Sequence, residues 1–460
     1  MKHTCDVLYI HACKNPLGED AVKYAFMPMG LVAILNQLRA SGINVLGLNT
    51  AIETKIDPNF TIPAALQEID YKILLVDLHW YEHAFGAMYT VEQSKILHPD
   101  RPTIIGGYTS TIFSHEIMEN FPQVDYIITG DSELPAQQLV DRLLGRTQQE
   151  ISQIPNLVYR KDGTITDSDC TWVQTTLNEL DCVTTDMFLH SELFPYVSCN
   201  GVHTTIPLQW ICVARGCKYN CAYCCGSNHN METLFRRCKI LLRSPEKLAE
   251  DFLALEKKGI QWVCPSHDMQ MFGKAYYDKL FACIREKNIK PGLYLECFQL
   301  PNKDFIDGIA ETFDAPRTVL TISPISGNEQ LRKENGKYFS NDAFYEIVDY
   351  IQQKGITLNL YYTVNPIGET REQFYDTYFQ LKYFHDLVGM TNRQVYYQRV
   401  VLDPLAAMRE REGINSQLNT FMDYYRYCQI PTGNFDYTGY ESLGEVSDDE
   451  KQEIYRSIFG

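Results

Sequence analysis

The feature that most constrains the fold is an alternation between short, continuously apolar runs and stretches in which apolar residues have helical spacing. Runs that are apolar throughout are typical of parallel strands buried on both faces, with helices covering the sheet. Within residues 1–147 the predicted strands are 7–10, 45–48, 73–76, 103–107 and 126–130. This segment is therefore predicted to form a doubly wound, Rossmann-like α/β domain.

A second alternation occupies residues 204–404. Its predicted strands are 207–213, 261–264, 293–298, 318–322, 357–363 and 395–401. Six strand–helix units are too few for a closed eight-stranded barrel, but they suit an open, partial (β/α)6 barrel. We expect the polar residues 148–203 to be a linker with room for one small hairpin, and the Tyr-rich residues 405–460 to form a C-terminal cap.

Composition and charge narrow the class of protein. The 460 residues are 45% hydrophobic and 22% charged, which is ordinary for a globular protein. The net charge of −17 would repel a phosphate backbone, so nucleic acid is not expected as a partner. No window approaches ~20 consecutive apolar residues and no signal peptide opens the chain, which predicts a cytoplasmic protein without a membrane span. The 15 cysteines then indicate buried thiols in a reducing compartment, with a few metal ligands among them.

Three cysteines stand on one short segment directly after a predicted strand. Cys217, Cys221 and Cys224 have the spacing C-x3-C-x2-C. Three thiolates on a tight loop can bind three irons of a cubane cluster, which leaves the fourth iron with an open coordination site. A zinc site with His229 as the fourth ligand is one alternative, and chance clustering of cysteines is the other. Cys225 is expected to be a bystander, because adjacent cysteines reach two corners of one cube only with strain.

This motif, with Tyr223 just before its third cysteine, resembles that of the radical S-adenosylmethionine (SAM) superfamily. The resemblance covers about residues 5–405 and points to the subgroup with an N-terminal B12-binding domain. Outside the cysteine motif it is carried by residues 28–31, 38–42, 105–107, 130–133 and 362–370, and by Ser323 and Pro324 with Gly327, Glu329 and Arg332. It implies a 4Fe–4S cluster, SAM on the fourth iron and cobalamin as cofactors.

The resemblance also implies positions for contacts with SAM. Tyr223 adjoins the cluster, and Asp268 lies in the region where the family often contacts the SAM amino group. Ser323 and Glu329 fall where ribose and carboxylate contacts often occur, and Gly368 lies near the adenine position. A helix N-cap or a solvated acid would explain Asp268 nearly as well, and a structural turn would explain Gly368.

Candidate cobalamin contacts follow the third, fourth and fifth strands of the first domain. By the resemblance they are His79, Trp80, Gly106, Gly107, Tyr108 and Gly130. Doubly wound sheets bind ligands at this carboxyl edge, although tight turns and aromatic packing between domains would give a similar pattern. The usual Asp-x-His-x-x-Gly motif after the first strand is missing, since the sequence reads His11-Ala12-Cys13-Lys14-Asn15-Pro16. We therefore expect cobalamin to bind without an axial histidine.

The function that the resemblance implies is cobalamin-dependent radical SAM methylation of an unactivated carbon. A 5′-deoxyadenosyl radical would take a hydrogen from the substrate, and methylcobalamin would supply the methyl group. The alternatives are a radical cyclase or rearrangement enzyme in which cobalamin donates no methyl group or is not bound, and a non-catalytic metal or cobalamin carrier. An iron with an open site argues against a carrier. Small-molecule, lipid and peptide substrates stay open, a reductant such as flavodoxin is the expected partner, and no catalytic side chain is identified.

Overall fold

The computed structural model describes residues 3–198, 201–202, 206–386, 389–390, 394–400, 402–410, 416–431 and 444–459. The chain divides into two compact units. The first comprises Met1–Ile206, Glu232–Arg237 and Leu418–Phe435, and the second comprises Pro207–Met231, Cys238–Gln417 and Asp436–Gly460. Each unit contains one large sheet whose strands are mainly parallel.

The strands follow the predicted alternation closely. In chain order they are β1 (Thr4–His11), β2 (Val45–Asn49), β3 (Asp70–Asp77), β4 (Thr103–Gly106), β5 (Tyr126–Ile128), β6 (Leu157–Lys161), β7 (Thr164–Asp167), β8 (Val197–Ser198), β9 (Gly201–Val202), β10 (Leu208–Ile211), β11 (Ala214–Arg215), β12 (Leu241–Leu242), β13 (Trp262–Pro265), β14 (Gly292–Cys297), β15 (Thr318–Ile325), β16 (Thr357–Thr363) and β17 (Val395–Gln398). All the strands predicted for the two domains are present within a few residues of their expected ends.

Helices fill the intervals between the strands. They are α1 (Met29–Ala40), α2 (Thr50–Ile56), α3 (Ile62–Glu68), α4 (Ala84–Leu97), α5 (Tyr108–Ile112), α6 (Ser114–Asn120), α7 (Glu133–Leu143), α8 (Asn228–Thr233), α9 (Pro245–Lys257), α10 (Lys274–Glu286), α11 (Lys303–Thr312), α12 (Glu329–Glu334), α13 (Asn341–Gln353), α14 (Arg371–Asp386), α15 (Phe421–Gln429) and α16 (Asp448–Phe459). Short 3₁₀ segments lie at Glu19–Val22, Tyr81–His83, Ile151–Gln153, Ser191–Tyr196, Met269–Phe272, Ala315–Arg317 and Ala407–Glu410. No helix of the described segments is both long and apolar enough to cross a membrane.

The first unit is built on a seven-stranded sheet with the order β2-β1-β3-β4-β5-β6-β7. Strands β1 to β5 are parallel, which confirms the predicted doubly wound fold. Helix α1 buries Leu31, Leu35 and Leu38 at helical spacing against a core that includes Val7 and Tyr9 of β1. Removing such apolar surface from water contributes roughly 25 cal/mol per Å² and favours this packing.

The segment expected to be a linker lies in this first unit. Its hairpin, β6 and β7, extends the sheet antiparallel to β5 and pairs Tyr159 with Tyr126. Farther along, the ring of Phe188 lies so close to Gly47 that a Cβ there would meet it at 2.4 Å. Helix α15, from the region expected to be a cap, also belongs to this unit, where Tyr424 packs against Tyr81 with their ring centroids 4.9 Å apart.

The second unit contains the predicted partial (β/α)6 barrel. Its six strands are all parallel, in the order β10-β13-β14-β15-β16-β17. The Ser244 side chain caps α9 by accepting a hydrogen bond from the Lys247 N–H, and Pro245 occupies the first helical turn. Strand β15 extends beyond its expected end at residue 322, because a register shift lets it continue to Ile325.

Candidate active site

The cysteine loop begins after β10 and β11, at one end of the second sheet. Cys217, Cys221 and Cys224 are partly exposed. The backbone N–H of Tyr219 is directed at Cys217 Sγ, with N···S 3.5 Å, and the N–H of Gly226 is directed at Cys224 Sγ, with N···S 3.2 Å. Hydrogen bonds of this kind to sulfur stabilise and tune thiolate-bound iron–sulfur clusters. The three thiols and their backbone donors therefore fit a cluster.

Burial disfavours the thiolate form of two of these cysteines. Burial raises the pKa of Cys217, and it raises the pKa of Cys224 to about 12, with a further contribution from Asp403. Without metal the Cys224 thiol is therefore protonated at neutral pH. Because iron binds the thiolate form, cluster assembly must release these protons.

Cys225 differs from its three neighbours in being buried. Its backbone N–H donates to Asp403 Oδ2 at 3.0 Å, and its carbonyl accepts from Asn230 Nδ2 at 2.9 Å. Those two bonds fasten the end of the loop to the protein. The His229 considered as a zinc ligand is exposed, and its backbone N–H donates to Asn220 Oδ1.

A glycine and a lysine that the sequence analysis did not single out lie beside the loop. Gly336 has φ +90°, and a Cβ there would lie 3.0 Å from Cys221 Cα and 3.4 Å from Cys221 Sγ. The next residue, Lys337, is buried, and its Nζ donates to the Phe298 carbonyl at 2.9 Å. Burial lowers the pKa of Lys337, while the acidic groups around it, which include Cys221 and Asp268, oppose that shift.

Asp268 is fully buried, and both of its carboxylate oxygens accept hydrogen bonds from the backbone. Its Oδ1 accepts from the Gln270 N–H at 3.0 Å and its Oδ2 from the Phe298 N–H at 2.9 Å. Burial raises the pKa of Asp268 to about 6 in spite of these bonds. The carboxylate thus caps the 3₁₀ segment Met269–Phe272 and holds the end of β14, which is the N-cap role considered for it.

Tyr223 lines a narrow cleft within the second unit. The other residues around it are Ile325, Asn335, Thr363, Asn365, Pro366, Val400 and Met408. Ile325 has φ +71°, a conformation that is costly for a β-branched residue and that tends to occur at functional sites. Ser323 is partly buried on the same strand, β15, at the register shift that precedes Ile325.

Glu329 and Gly368 lie at exposed positions. Glu329 begins α12, and its Oε1 accepts from the Asn341 N–H at 2.5 Å. Gly368 has φ +70° with open space around it, so the turn after β16 requires a residue that tolerates this conformation. The residue after it, Glu369, forms a buried ion pair with Lys451 of α16 at 2.6 Å. Glu329 thus forms a hydrogen bond with the first residue of α13. The ion pair between Glu369 and Lys451 attaches the turn after Gly368 to α16.

Glu296 is another residue that the sequence analysis missed. It is exposed to solvent on β14, yet desolvation by the surrounding protein raises its pKa. The charge of Lys337 acts on it in the opposite direction. No motif marks Glu296, because a single acidic residue on a strand has no distinctive spacing.

In the first unit, aromatic side chains gather at the carboxyl ends of β3 and β4. We call Phe26, His79, Trp80, Tyr108 and Phe235 the aromatic edge. Ring centroids are 4.6 Å apart for Phe26 and Trp80, 4.8 Å for His79 and Trp80, 5.4 Å for His79 and Tyr108, and 4.1 Å for Tyr108 and Phe235. All five are partly exposed. A partly exposed aromatic surface at this edge fits the flat, largely apolar ring of a corrin.

The three predicted glycines of this edge differ in what they do. Gly107 has φ +126°, and a Cβ there would lie 2.6 Å from the Leu78 carbonyl oxygen, so close backbone packing requires glycine. Gly130 has φ +67° with open space around it, and its N–H donates to Thr111 Oγ1 at 2.9 Å. At Gly106 a Cβ would make ordinary contacts.

The end of β1 shows why no histidine is available after the first strand. His11 is 1% exposed, and its Nδ1 lies 2.8 Å from Asp77 Oδ1. The following residues, 12 to 16, include no imidazole. The residues of this edge thus fit a cobalamin that takes no axial ligand from that loop.

Comparison with known proteins relates two segments of the chain to known domains. A model of the B12-binding domain matches residues 20–140, and a model of the radical SAM superfamily matches residues 211–381. Two curated relatives are anaerobic magnesium-protoporphyrin IX monomethyl ester cyclases, from Rubrivivax gelatinosus at 25% identity and from Synechocystis sp. at 24%, each over 177 residues or 38% of this chain. The chain spans less than a third of the length of these relatives, 29% and 30%.

Solved structures share the fold of the whole chain. The radical SAM methyltransferase TsrM from Kitasatospora setae, with cobalamin and a 4Fe–4S cluster bound, has a TM-score of 0.73 at 13% identity and covers 100% of this chain and 91% of its own. The cobalamin-dependent SAM radical enzyme OxsB, with aqua-cobalamin and SAM bound, has a TM-score of 0.59 at 12% identity over 98% of this chain and 66% of its own. With both domain models matched, the chain belongs to the B12-binding-domain radical SAM family: it is a cobalamin-dependent radical SAM enzyme with a 4Fe–4S cluster, SAM and cobalamin as its cofactors.

Proposed function

We propose that this enzyme methylates an unactivated carbon and uses SAM in two roles, as radical source and as methyl donor. When bound, the cluster and SAM supply a 5′-deoxyadenosyl radical, and cobalamin supplies a transferable methyl group. The observation that carries the proposal is the aromatic edge, together with a His11 side chain that is buried against Asp77 at the end of β1. If cobalamin binds at this edge, the loop of residues 12–16 would offer it no histidine, and the cofactor would supply a methyl group for transfer to a carbon radical.

Cys217, Cys221 and Cys224 are the proposed iron ligands. The backbone N–H groups of Tyr219 and Gly226 then offset part of the thiolate charge. Gly336 lets the backbone approach Cys221, where any side chain would crowd the ligand. These contacts fix the loop before SAM binds, so that little reorganisation is needed in the reaction.

Lys337 is the proposed counter-charge for this site. Its ammonium group is buried near Cys221, Asp268 and Glu296, where low dielectric strengthens its attraction for negative charge. Asp268 positions it indirectly: Asp268 accepts from the Phe298 N–H, and Lys337 donates to the Phe298 carbonyl. A positive charge held there would favour binding of the SAM carboxylate and of the electron-rich cluster.

The cleft beside Tyr223 is the proposed SAM-binding region, with Ser323 and Ile325 contributed by β15. In the first unit, His79, Trp80 and Tyr108 are proposed to contact the corrin, with Gly106 and Gly130 leaving room for it. Glu329 and Gly368, both at exposed positions, are the remaining proposed SAM contacts. Small-molecule, lipid and peptide substrates all stay possible, and a flavodoxin-like protein is the proposed electron donor.

A radical cyclase is the second candidate function, favoured by the names of the curated relatives. The two reactions differ in what becomes of SAM. Methylation converts one SAM to 5′-deoxyadenosine and methionine and a second to S-adenosylhomocysteine for each product. Cyclisation forms 5′-deoxyadenosine without S-adenosylhomocysteine.

The test follows both products in the anaerobically reconstituted enzyme supplied with cobalamin, a low-potential reductant and SAM with a deuterated methyl group. We expect S-adenosylhomocysteine, deuterated methylcobalamin and slowly formed 5′-deoxyadenosine, even before the substrate is known. 5′-Deoxyadenosine alone would support the cyclase. S-Adenosylhomocysteine alone, whatever substrate is added, would indicate polar methyl transfer and discard the radical step. The Cys217→Ala variant controls for cleavage that does not involve the cluster.

A further inference from the structure

Directly behind the aromatic edge, three buried side chains form a group that neither the cluster nor the proposed corrin contacts account for. His11 ends β1, Asp77 ends β3, and His83 ends the 3₁₀ segment Tyr81–His83. They are 1%, 4% and 1% exposed. One possible ligand atom from each lies within 4.8 Å of those of the other two, and the His11 and His83 ring centroids are 4.7 Å apart.

The protons of the two imidazoles are fixed by one carbonyl. The Tyr24 oxygen lies 3.0 Å from His83 Nε2 and 3.3 Å from His11 Nε2. A carbonyl oxygen only accepts hydrogen bonds, so its position favours the tautomers in which both Nε2 atoms carry hydrogen. In a neutral imidazole that tautomer leaves an unprotonated Nδ1, whose lone pair can accept a hydrogen bond or bind a metal. A carbonyl that orients imidazoles in this way is a common outer partner of histidine metal ligands.

The lone pairs then meet a carboxylate. His11 Nδ1 lies 2.8 Å from Asp77 Oδ1, an approach of two acceptors that is explained by a shared proton or by a cation bound to both atoms from one side. Two further atoms of the group, His83 Nδ1 and Asp77 Oδ2, are buried without a hydrogen-bond partner. A single added proton would satisfy the His11–Asp77 contact but leave these two unpartnered. A cation shared by the three side chains would satisfy all of them.

We propose that His11, Asp77 and His83 bind one divalent transition-metal ion, with Zn²⁺ as the best match. Two imidazole nitrogens and a carboxylate oxygen are a common zinc donor set, whereas Mg²⁺ and Ca²⁺ prefer oxygen ligands. The Tyr9 hydroxyl, which donates to Asp77 Oδ1 at 2.6 Å, orients the carboxylate. The ion would join β1, β3 and the segment that carries Trp80, whose ring centroid is 5.9 Å from that of His83. It would therefore stiffen the support of the aromatic edge, and the site does not depend on which reaction the enzyme catalyses.

The test measures zinc in the full-length protein with its cluster reconstituted and with loosely bound metal removed on a chelating resin. We expect about one zinc per chain, with an X-ray absorption spectrum at the zinc edge that fits two imidazoles and oxygen and no sulfur. Sulfur ligands would show zinc in the cysteine loop and would overturn the proposal. A protein with no zinc that takes up none from added Zn²⁺ would also overturn it.

Variants locate the site. His83→Gln and Asp77→Asn should each weaken Zn²⁺ binding at least about a hundredfold in competition with a chromophoric chelator, because each removes a ligand. His98→Gln is the matched control. The Nε2 of His98 also contacts a backbone carbonyl, that of Leu66 at 3.1 Å, but His98 is not one of the three proposed zinc ligands. Unchanged affinity in the first two variants, or an equal loss in the control, would contradict the assignment.

The wild-type protein gives a further measurement should these variants fail to fold. Removal of zinc by a strong chelator should lower the temperature of unfolding, and added Zn²⁺ should restore it while added Mg²⁺ should not, because a ligand that binds only the folded state stabilises it. An unfolding temperature that is the same with and without zinc would show that the three side chains form a hydrogen-bonded group and not a metal site.

Discussion

The cysteine loop of the second unit and the aromatic edge of the first are built on opposite principles. The loop gathers Cys217, Cys221 and Cys224 within eight positions of sequence, with backbone N–H groups directed at two of the sulfurs. The aromatic edge draws Phe26, Trp80 and Phe235 from widely separated parts of the chain. Coordination demands particular atoms at particular distances, whereas a surface for a large flat ring demands only area and shape.

That difference predicts how each site fails. A missing thiolate removes one covalent attachment of an iron, and the remaining two cannot hold a cubane that exposes a single iron. A missing aromatic ring removes part of a contact surface, and its neighbours still bury the rest of the ligand. Loss of function should therefore be abrupt in the second unit and gradual in the first.

The largest effect is expected from the combined change Cys217→Ala, Cys221→Ala and Cys224→Ala. Anaerobic reconstitution of the wild-type protein should give about four irons per chain and brown thiolate-to-iron absorption, and the triple variant should give neither. Cys225→Ala is the matched control and should retain the cluster, since that side chain is buried outside the proposed ligand set. A triple variant with full iron content, or a Cys225→Ala variant without it, would reassign the ligands.

The next largest effect is expected from a substitution of Lys337, which measures how far the cysteine site depends on a residue outside its loop. Lys337→Met removes the buried cation near Cys221 and Asp268. Hydrogen bonds to charged groups contribute about 1.5–3 kcal/mol, so we expect 5′-deoxyadenosine formation to slow by roughly ten- to a hundredfold. Iron content should stay near that of the wild type, as measured beside the rate.

The control for that prediction is Lys333→Met, which removes an exposed lysine of α12. It should cleave SAM at the wild-type rate. If Lys337→Met lost its cluster, the lysine would be needed for assembly of the site and not for its reaction. If its rate equalled that of Lys333→Met, the buried cation would have no part in the chemistry.

The same contrast explains what the sequence could and could not predict. Spacing identified the cysteine loop, and continuous apolar runs identified both sheets almost strand by strand. Lys337 and Glu296 could not be found, because they become neighbours of the loop only when β14 and the segment after α12 fold against it. Position along the chain singled out Tyr108 and Trp80 as candidates, but their ring partners Phe26 and Phe235 carry no motif. Local pattern thus predicts elements and ligands, while long-range packing decides which single residues join them.

Asp268 illustrates a second reason for the limits of sequence. Asp268 follows the predicted strand 261–264, but the sequence did not determine whether its carboxylate would face a ligand or the backbone. The structure commits both oxygens to the N–H groups of Gln270 and Phe298. Short-range hydrogen bonds of this kind compete with ligand binding for the same carboxylate, and they depend on loop geometry that no residue pattern specifies.

A moderate effect is expected at the aromatic edge. Trp80→Ala and Tyr108→Ala should each weaken cobalamin binding by about tenfold, because each removes an aromatic surface that contributes about 1–2 kcal/mol. Cobalamin titration followed by absorbance measures this change. Tyr89→Ala, a partly buried tyrosine on α4, is the control and should bind as the wild type does. Complete loss of binding from either single change would mean that the edge behaves like the cysteine loop, and the comparison would fail.

The smallest effect is expected from the histidines of the first unit on the cobalt itself. His11 is buried against Asp77, and His79 packs edge-on to Trp80 and Tyr108, so neither is expected to coordinate cobalt. The Co(II) form of bound cobalamin should therefore give an EPR spectrum without nitrogen superhyperfine splitting, and His79→Gln should leave that spectrum unchanged. Splitting from an axial nitrogen that disappears in His79→Gln would show that this edge, too, uses a specific ligand atom. Failure of the protein to retain any cobalt under these conditions would contradict the assignment of the corrin to the aromatic edge.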